Sequence, residues 1–85
     1  MHTVDLLAEA LAVAKRLGFR IRQEWLGGTG GVCELKGQRW IFLDDALSPA
    51  EQLGIVLDAL REDPALHLLP LEGDLARAVN ARKAA

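Results

Sequence analysis

The sequence predicts an α+β fold in which a three-stranded antiparallel sheet carries helices packed on one face. Apolar residues recur at helical spacing in residues 3–17, strand-like alternation follows in "FRIRQEW", and "SPAE" marks the start of a second helix. The chain has 85 residues, of which 51% are hydrophobic, and this is enough for one modest core. Residues 1–85 are therefore expected to form a single domain in the order α-β-β-β-α-α.

The first helix is predicted to begin at Thr3, a good N-cap, and to end before Gly18, where a C-cap favours a left-handed residue. Asp5 near its start, and Lys15 and Arg16 near its end, match the helix dipole. Two adjacent apolar stripes are wide enough to bury more than a third of its surface. They are Val4, Leu7, Leu11 and Ala14, and Leu6, Ala10, Val13 and Leu17.

The three strands are predicted from alternation and from one tight turn. In the first strand the apolar side chains share one face and the charged ones the other: Phe19, Ile21 and Trp25 against Arg20, Arg22 and Glu24. The next two strands flank a two-residue hairpin turn at Lys36-Gly37. This turn gives the hairpin an aromatic face, expected to meet the helices, formed by Cys33, Leu35, Trp40 and Phe42. The opposite face is formed by Val32, Glu34, Arg39 and Ile41.

The second helix has the strongest local signal in the chain. Ser48 is placed to cap it, Pro49 to take its first position and Glu51 to complete a capping box. The helix is expected to end at Asp63-Pro64. The following "ALHLL" is either a short extended segment or a single helical turn, and a last amphipathic helix is predicted from Pro70 to about Arg82.

The glycine cluster "GGTGG" is the first candidate for a binding site. A phosphate-binding loop leads into a helix, whose N-terminal amides hold the anion, but this cluster leads into a strand and lacks the P-loop Lys-Ser/Thr pair. Glycines between two strands usually supply positive φ angles for a bend or bulge, which is the favoured interpretation. The alternative is a mobile loop whose amides contact a partner.

Three other features are candidates for chemistry, and each has a structural interpretation. Cys33 has no histidine or other base beside it in the sequence, and its face in the hairpin predicts a buried thiol. Trp25 and Trp40 are expected to pack in the core rather than to stack on a ligand. Asp44-Asp45 precede a helix N-terminus, where negative charge is stabilised. One cysteine and two histidines are too few for a structural zinc site, so no metal or cofactor is expected.

The net charge of −2 argues against a general nucleic-acid binder, but the charge is unevenly distributed. Residues 15–39 hold six basic and two acidic side chains, whereas residues 44–74 hold eight acidic side chains and one basic. These are either solvated faces or a basic face that meets an acidic partner. No apolar run approaches the roughly 18 residues that span a membrane. The acidic start lacks the charge order of a signal peptide, so a cytoplasmic location is expected.

Residues 30–61 resemble part of the zinc metallopeptidases of the ImmA/IrrE type. The resemblance rests on a glycine bend, a hairpin, a strand ending in "IFLDD" and "LSPAEQ" at the start of a helix. In those enzymes this helix carries the zinc-binding histidines and a glutamate, but here it reads "LGIVLDALRED" and the catalytic residues are absent. Most of the chain is similar to a family of small uncharacterised bacterial proteins, and this resemblance implies the fold but no activity.

The sequence thus favours a non-catalytic protein that binds a protein partner or forms a homodimer. Alternatives are an inactive metallopeptidase-like remnant or accessory domain and a thiol-dependent enzyme using Cys33. The expected contact surface combines the basic strand positions, an apolar centre and the glycine loop. Its residues are Arg20, Arg22, Arg39, Ile41, Gly27, Gly28, Thr29, Gly30 and Gly31.

Overall fold

The computed structural model describes residues 3–25, 27 and 30–81 of the chain. Its elements follow the predicted order and confirm the α+β class. They are α1 (Thr3–Arg16), β1 (Phe19–Glu24), β2 (Gly31–Leu35), β3 (Gln38–Asp44), α2 (Pro49–Arg61), a 3₁₀ helix (Pro64–Leu68) and α3 (Gly73–Asn80). Among the described residues, no helix has both the length and the apolar character that crossing a bilayer requires.

The sheet is mixed, so the prediction of a purely antiparallel sheet is wrong. Its strand order is β1-β3-β2, with β2 antiparallel to β3 and β1 parallel to β3. The predicted hairpin is present, and Lys36 and Gly37 both have positive φ, as a type I′ turn requires. The strand with the most buried residues, β3, lies at the centre of the sheet between β1 and β2.

The helices pack on one face of this sheet, as predicted. The buried core joins the apolar stripe of α1 to α2, to α3 and to the inward residues of the sheet. Its members are Leu7, Ala10, Val13, Ala14, Phe19, Ile41, Leu43, Val56, Leu57, Ala59, Leu60, Leu75 and Val79. Gly18 has a φ of 97°, the left-handed conformation predicted after α1.

The capping box of α2 is present as predicted. The amide of Ser48 donates to Glu51 Oε1 over 2.8 Å, and the amide of Glu51 donates to Ser48 Oγ over 3.2 Å. The segment after α2 is helical rather than extended, because Asp63 accepts a hydrogen bond from the amide of Ala65 and caps the 3₁₀ helix. The last helix begins at Gly73 rather than at Pro70, and its predicted end at Arg82 lies outside the described residues.

Candidate functional site: the open face of the sheet

The face of the sheet that meets the helices is not the predicted one. Ile41 and Leu43 of β3 are fully buried and Phe19 of β1 is 6% exposed, whereas Trp40 and Phe42 lie on the other face and are partly exposed. Both faces of β3 are apolar, so alternation within that strand does not decide which face is buried. The pairing with β1 decides it, because the register aligns Ile21 with Ile41 and aligns the two arginines of β1 with Trp40 and Phe42.

Three further sequence predictions are wrong, those for Cys33 and Ile41 because of this reversal. Cys33, expected in the core, is exposed. Trp25, also expected in the core, is 74% exposed beyond the end of β1. Ile41, expected at the centre of an open contact surface, lies in the core, where it is inaccessible to any partner. The surface available for contact is therefore the one opposite Ile41, and we call it the open face. Its residues are Arg20, Arg22, Glu24, Cys33, Leu35, Gln38, Trp40 and Phe42.

An aromatic pair lies at the centre of the open face. The rings of Trp40 and Phe42 stack with their centroids 5.7 Å apart and their planes 14° from parallel. The guanidinium carbon of Arg20 lies 5.8 Å from the centroid of the Trp40 ring. Arg20 is held in place by its Nε, which donates to Gln38 Oε1 over 2.7 Å. A cation over an aromatic face is attracted by the ring quadrupole, so these side chains form one ordered cluster.

The rim of the open face combines charge with exposed apolar surface. Arg22 pairs with Glu24 over 2.7 Å, and both side chains are about half exposed. On the other side of the aromatic pair, Leu35 is exposed beside Cys33. The open face thus has an apolar centre. The charged residues of β1 lie on one side of this centre, and uncharged residues of the edge strand β2 lie on the other.

Arg39, predicted on the same face as Arg20 and Arg22, lies on the helix side of the sheet. Its Nη1 donates to Asp63 Oδ2 over 2.7 Å, and its Nη2 donates to the carbonyl of Leu17. Its guanidinium carbon lies 4.1 Å from the centroid of the Phe19 ring. The basic side chain predicted to meet an acidic partner therefore meets an acidic residue of its own chain, and it ties α1, β3 and the 3₁₀ helix together.

The buried carboxylate of Asp63 is stabilised in its charged form. Its side chain is 6% exposed, and its Oδ1 accepts the amide of Ala65 over 2.8 Å. This backbone hydrogen bond is the largest cause that lowers the pKa of Asp63 below the ordinary value of 3.8. Burial opposes this by raising the pKa, and the hydrogen bond and positive charge of Arg39 lower it further.

Three glycines of the loop, Gly27, Gly30 and Gly31, lie where a side chain would be strained or would clash. Gly27 and Gly31 have φ angles of 78° and 146°, a region that other residues rarely adopt. At Gly30 a Cβ atom would lie 2.9 Å from the carbonyl oxygen of Phe42, so the backbone passes too close to β3 for a side chain. Gly28 and Thr29 of the predicted contact surface lie outside the described residues.

A buried amide that the sequence reasoning missed holds the turn between β3 and α2. Gln52 Nε2 donates to the carbonyl of Leu47 over 3.0 Å and to that of Asp44 over 3.3 Å, and Gln52 Oε1 accepts from Gln23 Nε2 over 3.3 Å. The Asp44 side chain is buried and accepts the amide of Ala46 over 2.8 Å. Asp44 thus orders the turn before α2.

The grooves lined by described residues include two that do not involve the aromatic pair. One of about 260 Å³ is lined by residues that include Val32, Arg39 and Asp63. The other, of about 450 Å³, lies between the 3₁₀ helix and α3 and is lined by residues that include Arg61 and His67. Cys33 lines neither groove. Within residues 3–25, 27 and 30–81, no three His, Cys, Asp or Glu side chains are grouped so that they could hold a metal ion.

The chain was compared with protein-family models, with curated proteins and with solved structures, and none of the three comparisons found a match.

Proposed function

We propose that the chain is a non-catalytic, cytoplasmic interaction module that binds a protein partner through the open face of its sheet. The observation that carries the proposal is the stacked pair of Trp40 and Phe42, which is partly exposed on the face of the sheet opposite the described helices. Apolar patches that stay exposed on a folded domain often mark contact sites. Tryptophan and arginine are enriched among the residues that contribute most to protein interfaces, and Arg20 accompanies this pair.

The composition of the open face favours a protein over a nucleic acid. A platform for single-stranded nucleic acid combines free aromatic faces with a strongly basic groove. Here the ring of Trp40 is already in contact with Phe42 and Arg20, and the charge of Arg22 is offset by Glu24. The net charge of −2 adds to this preference.

A pair of matched substitutions tests the proposal. Trp40→Ala removes the centre of the open face, whereas Trp25→Ala removes an equally large side chain that is 74% exposed beyond the strand end. Tagged wild type and both variants are purified from the native cell, after circular dichroism has shown that each is folded. We expect one partner to copurify with wild type and with Trp25→Ala. The affinity of Trp40→Ala for that partner should be at least tenfold lower, which is a loss of about 1.4 kcal/mol of binding free energy.

A second variant separates lost binding from a damaged fold. Arg20 is exposed and lies on the rim of the aromatic cluster, so Arg20→Glu changes the charge of the open face without removing core atoms. It should weaken the same partner as Trp40→Ala. A partner that both variants retain at the wild-type level would contradict the assignment of the open face.

The two alternatives make different predictions. A metallopeptidase-like remnant would retain a partner or substrate without hydrolysing it. A thiol-dependent enzyme would lose turnover in Cys33→Ser and would need a base close to that thiol. Because Cys33 is exposed, its thiol should be labelled quickly in an enzyme and in a binding module alike, so turnover is the measurement that separates the two.

A further inference from the structure

The outer edge of β2 is unpaired among the described residues. The sheet order β1-β3-β2 places β3 on one side of β2 and no strand on the other. In a two-residue hairpin the residues that flank the turn, Leu35 and Gln38, form a hydrogen-bonded pair. Hydrogen-bonded pairs alternate along an antiparallel ladder, so the amide and carbonyl groups of Val32 and Glu34 point away from β3. They form a short row of four peptide groups at the edge.

The two edges of the sheet differ in how well they are protected. Native edge strands are usually blocked by charged side chains, since an open edge is a template for another strand. The β1 edge carries three charges, Arg20, Arg22 and Glu24, whereas β2 carries only Glu34. Two of the large exposed apolar side chains belong to β2: Val32 is 49% exposed and Leu35 is 55% exposed. The β2 edge is therefore the one suited to pairing.

We propose that β2 pairs antiparallel with β2 of a second copy of this chain, around a twofold axis that passes Cys33. This inference rests on the proposed function as a binding module and names one partner, but it uses the edge of the sheet rather than the open face. The register pairs Val32 of each copy with Glu34 of the other. It uses all five residues of β2 and all four outward peptide groups.

The residues in and beside β2 favour this register over the two others that keep the outward groups paired. A register shifted in one direction places Glu34 opposite Glu34 of the second copy, and like charges directly opposite destabilise a strand pair. A shift in the other direction extends the ladder into Gly30, which lies outside β2 and packs tightly against Phe42. In the proposed register the open-face side of the junction holds only uncharged residues: Gly31, Cys33 and Leu35 of each copy.

The proposed register brings the two Cys33 residues opposite each other in a non-hydrogen-bonded pair. The Cα atoms of such a pair lie about 4.5 Å apart, which is within the range of about 4.4–6.8 Å that a disulfide spans. A diazene oxidant such as diamide takes two electrons and two protons from the two thiols and is reduced to the hydrazine, leaving one S–S bond between the copies. The disulfide is a probe of proximity and is not needed for pairing.

Cross-linking tests the register. Wild type at micromolar concentration should form a disulfide-linked dimer with diamide at least tenfold faster when folded than in urea. The control is Leu35→Cys in a Cys33→Ser background, an exposed thiol two residues away on the same face. In the proposed register the Cα atoms of residue 35 in the two copies are about 14 Å apart. The two control thiols should therefore cross-link at least tenfold more slowly than the two Cys33 thiols of the wild type. Equal rates for both cysteines would overturn the register.

Sedimentation under reducing conditions tests the pairing itself. Wild type should show a concentration-dependent dimer, and Glu34→Pro should be at least tenfold weaker because proline removes an outward amide. Glu34→Ala keeps that amide and should remain dimeric. Arg20→Glu should also remain dimeric, which separates this inference from the open-face proposal. A wild type that stays monomeric up to high micromolar concentration would overturn the pairing and leave the open-face proposal standing. A Glu34→Pro variant that folds and remains as dimeric as Glu34→Ala would also overturn it.

Discussion

Replacing Asp63 should destabilise the protein more than replacing any neighbouring exposed acid. Asp63→Ala removes the cap of the 3₁₀ helix, which costs about 0.5–2 kcal/mol at typical N-caps. It also removes the carboxylate that pairs with Arg39, and hydrogen bonds to charged groups contribute about 1.5–3 kcal/mol. The Arg39 side chain is 38% exposed, so water screens it and the lower end of that range applies. Together these give about 2–4 kcal/mol.

Urea denaturation followed by circular dichroism near pH 7 measures this cost. The matched control is Glu62→Ala, the exposed acid next to Asp63 in the chain, which should change the free energy of unfolding by less than about 0.5 kcal/mol. Asp63→Asn keeps a good capping residue but removes the charge, so it should fall between the two. The slope of the free energy against urea should be unchanged. An Asp63→Ala variant as stable as Glu62→Ala would refute the reasoning.

The pH dependence gives an independent check on the same residue. The folded-state pKa of Asp63 lies below its ordinary value of 3.8 because the Ala65 amide and Arg39 favour the carboxylate. Ionised Asp63 therefore stabilises the fold above the unfolded-state pKa, and this contribution is lost as the pH falls through the folded-state pKa. The difference in stability between wild type and Asp63→Asn should be constant near neutral pH and shrink below about pH 4. A difference that grows on acidification would contradict the assignment.

Two further predictions each compare a largely buried side chain with an exposed one and use the same urea assay. Ile41→Glu should prevent folding because it places a charge in the core. Its control, Cys33→Ser at an exposed position, should shift the free energy of unfolding by less than about 0.5 kcal/mol. A stable Ile41→Glu variant would reverse the assignment of the two faces. Arg61 donates to the carbonyls of Val79 and Ala78 at the end of α3, so Arg61→Met should lower the free energy of unfolding by about 2–3 kcal/mol. Its control, Arg77→Met at an exposed ion pair, should lower it by less than about 1 kcal/mol.

The features predicted correctly from the sequence are those whose residues lie close together in the chain. The capping box of Ser48 and Glu51 spans three residues, and the turn at Lys36-Gly37 needs only two positive φ angles. Such signals are complete within a few residues. The extents of α1 and α2 followed from apolar spacing together with these boundaries.

The errors arose where the outcome depends on distant residues. Alternation in β3 offers two apolar faces, and only the pairing of Ile21 with Ile41 selects the buried one. The acidic partner of Arg39 lies 24 residues away, and its position depends on how the 3₁₀ helix returns to the sheet. For this reason the sequence predictions that place Trp40 in the core and Ile41 on a contact surface are both wrong.

The parallel pairing of β1 with β3 has a consequence for folding kinetics. The turn that joins β2 to β3 has two residues. In contrast, the loop that must close before Phe19 can pair with Arg39 contains the segment after β1 and the whole of β2. Closing the longer loop costs more chain entropy before any contact is gained. β1 can pair with the sheet only after β3 is in place. We therefore expect the hairpin of β2 and β3, packed against α2, to form the transition-state nucleus. Substitutions in β1 should then accelerate unfolding and leave the folding rate nearly unchanged.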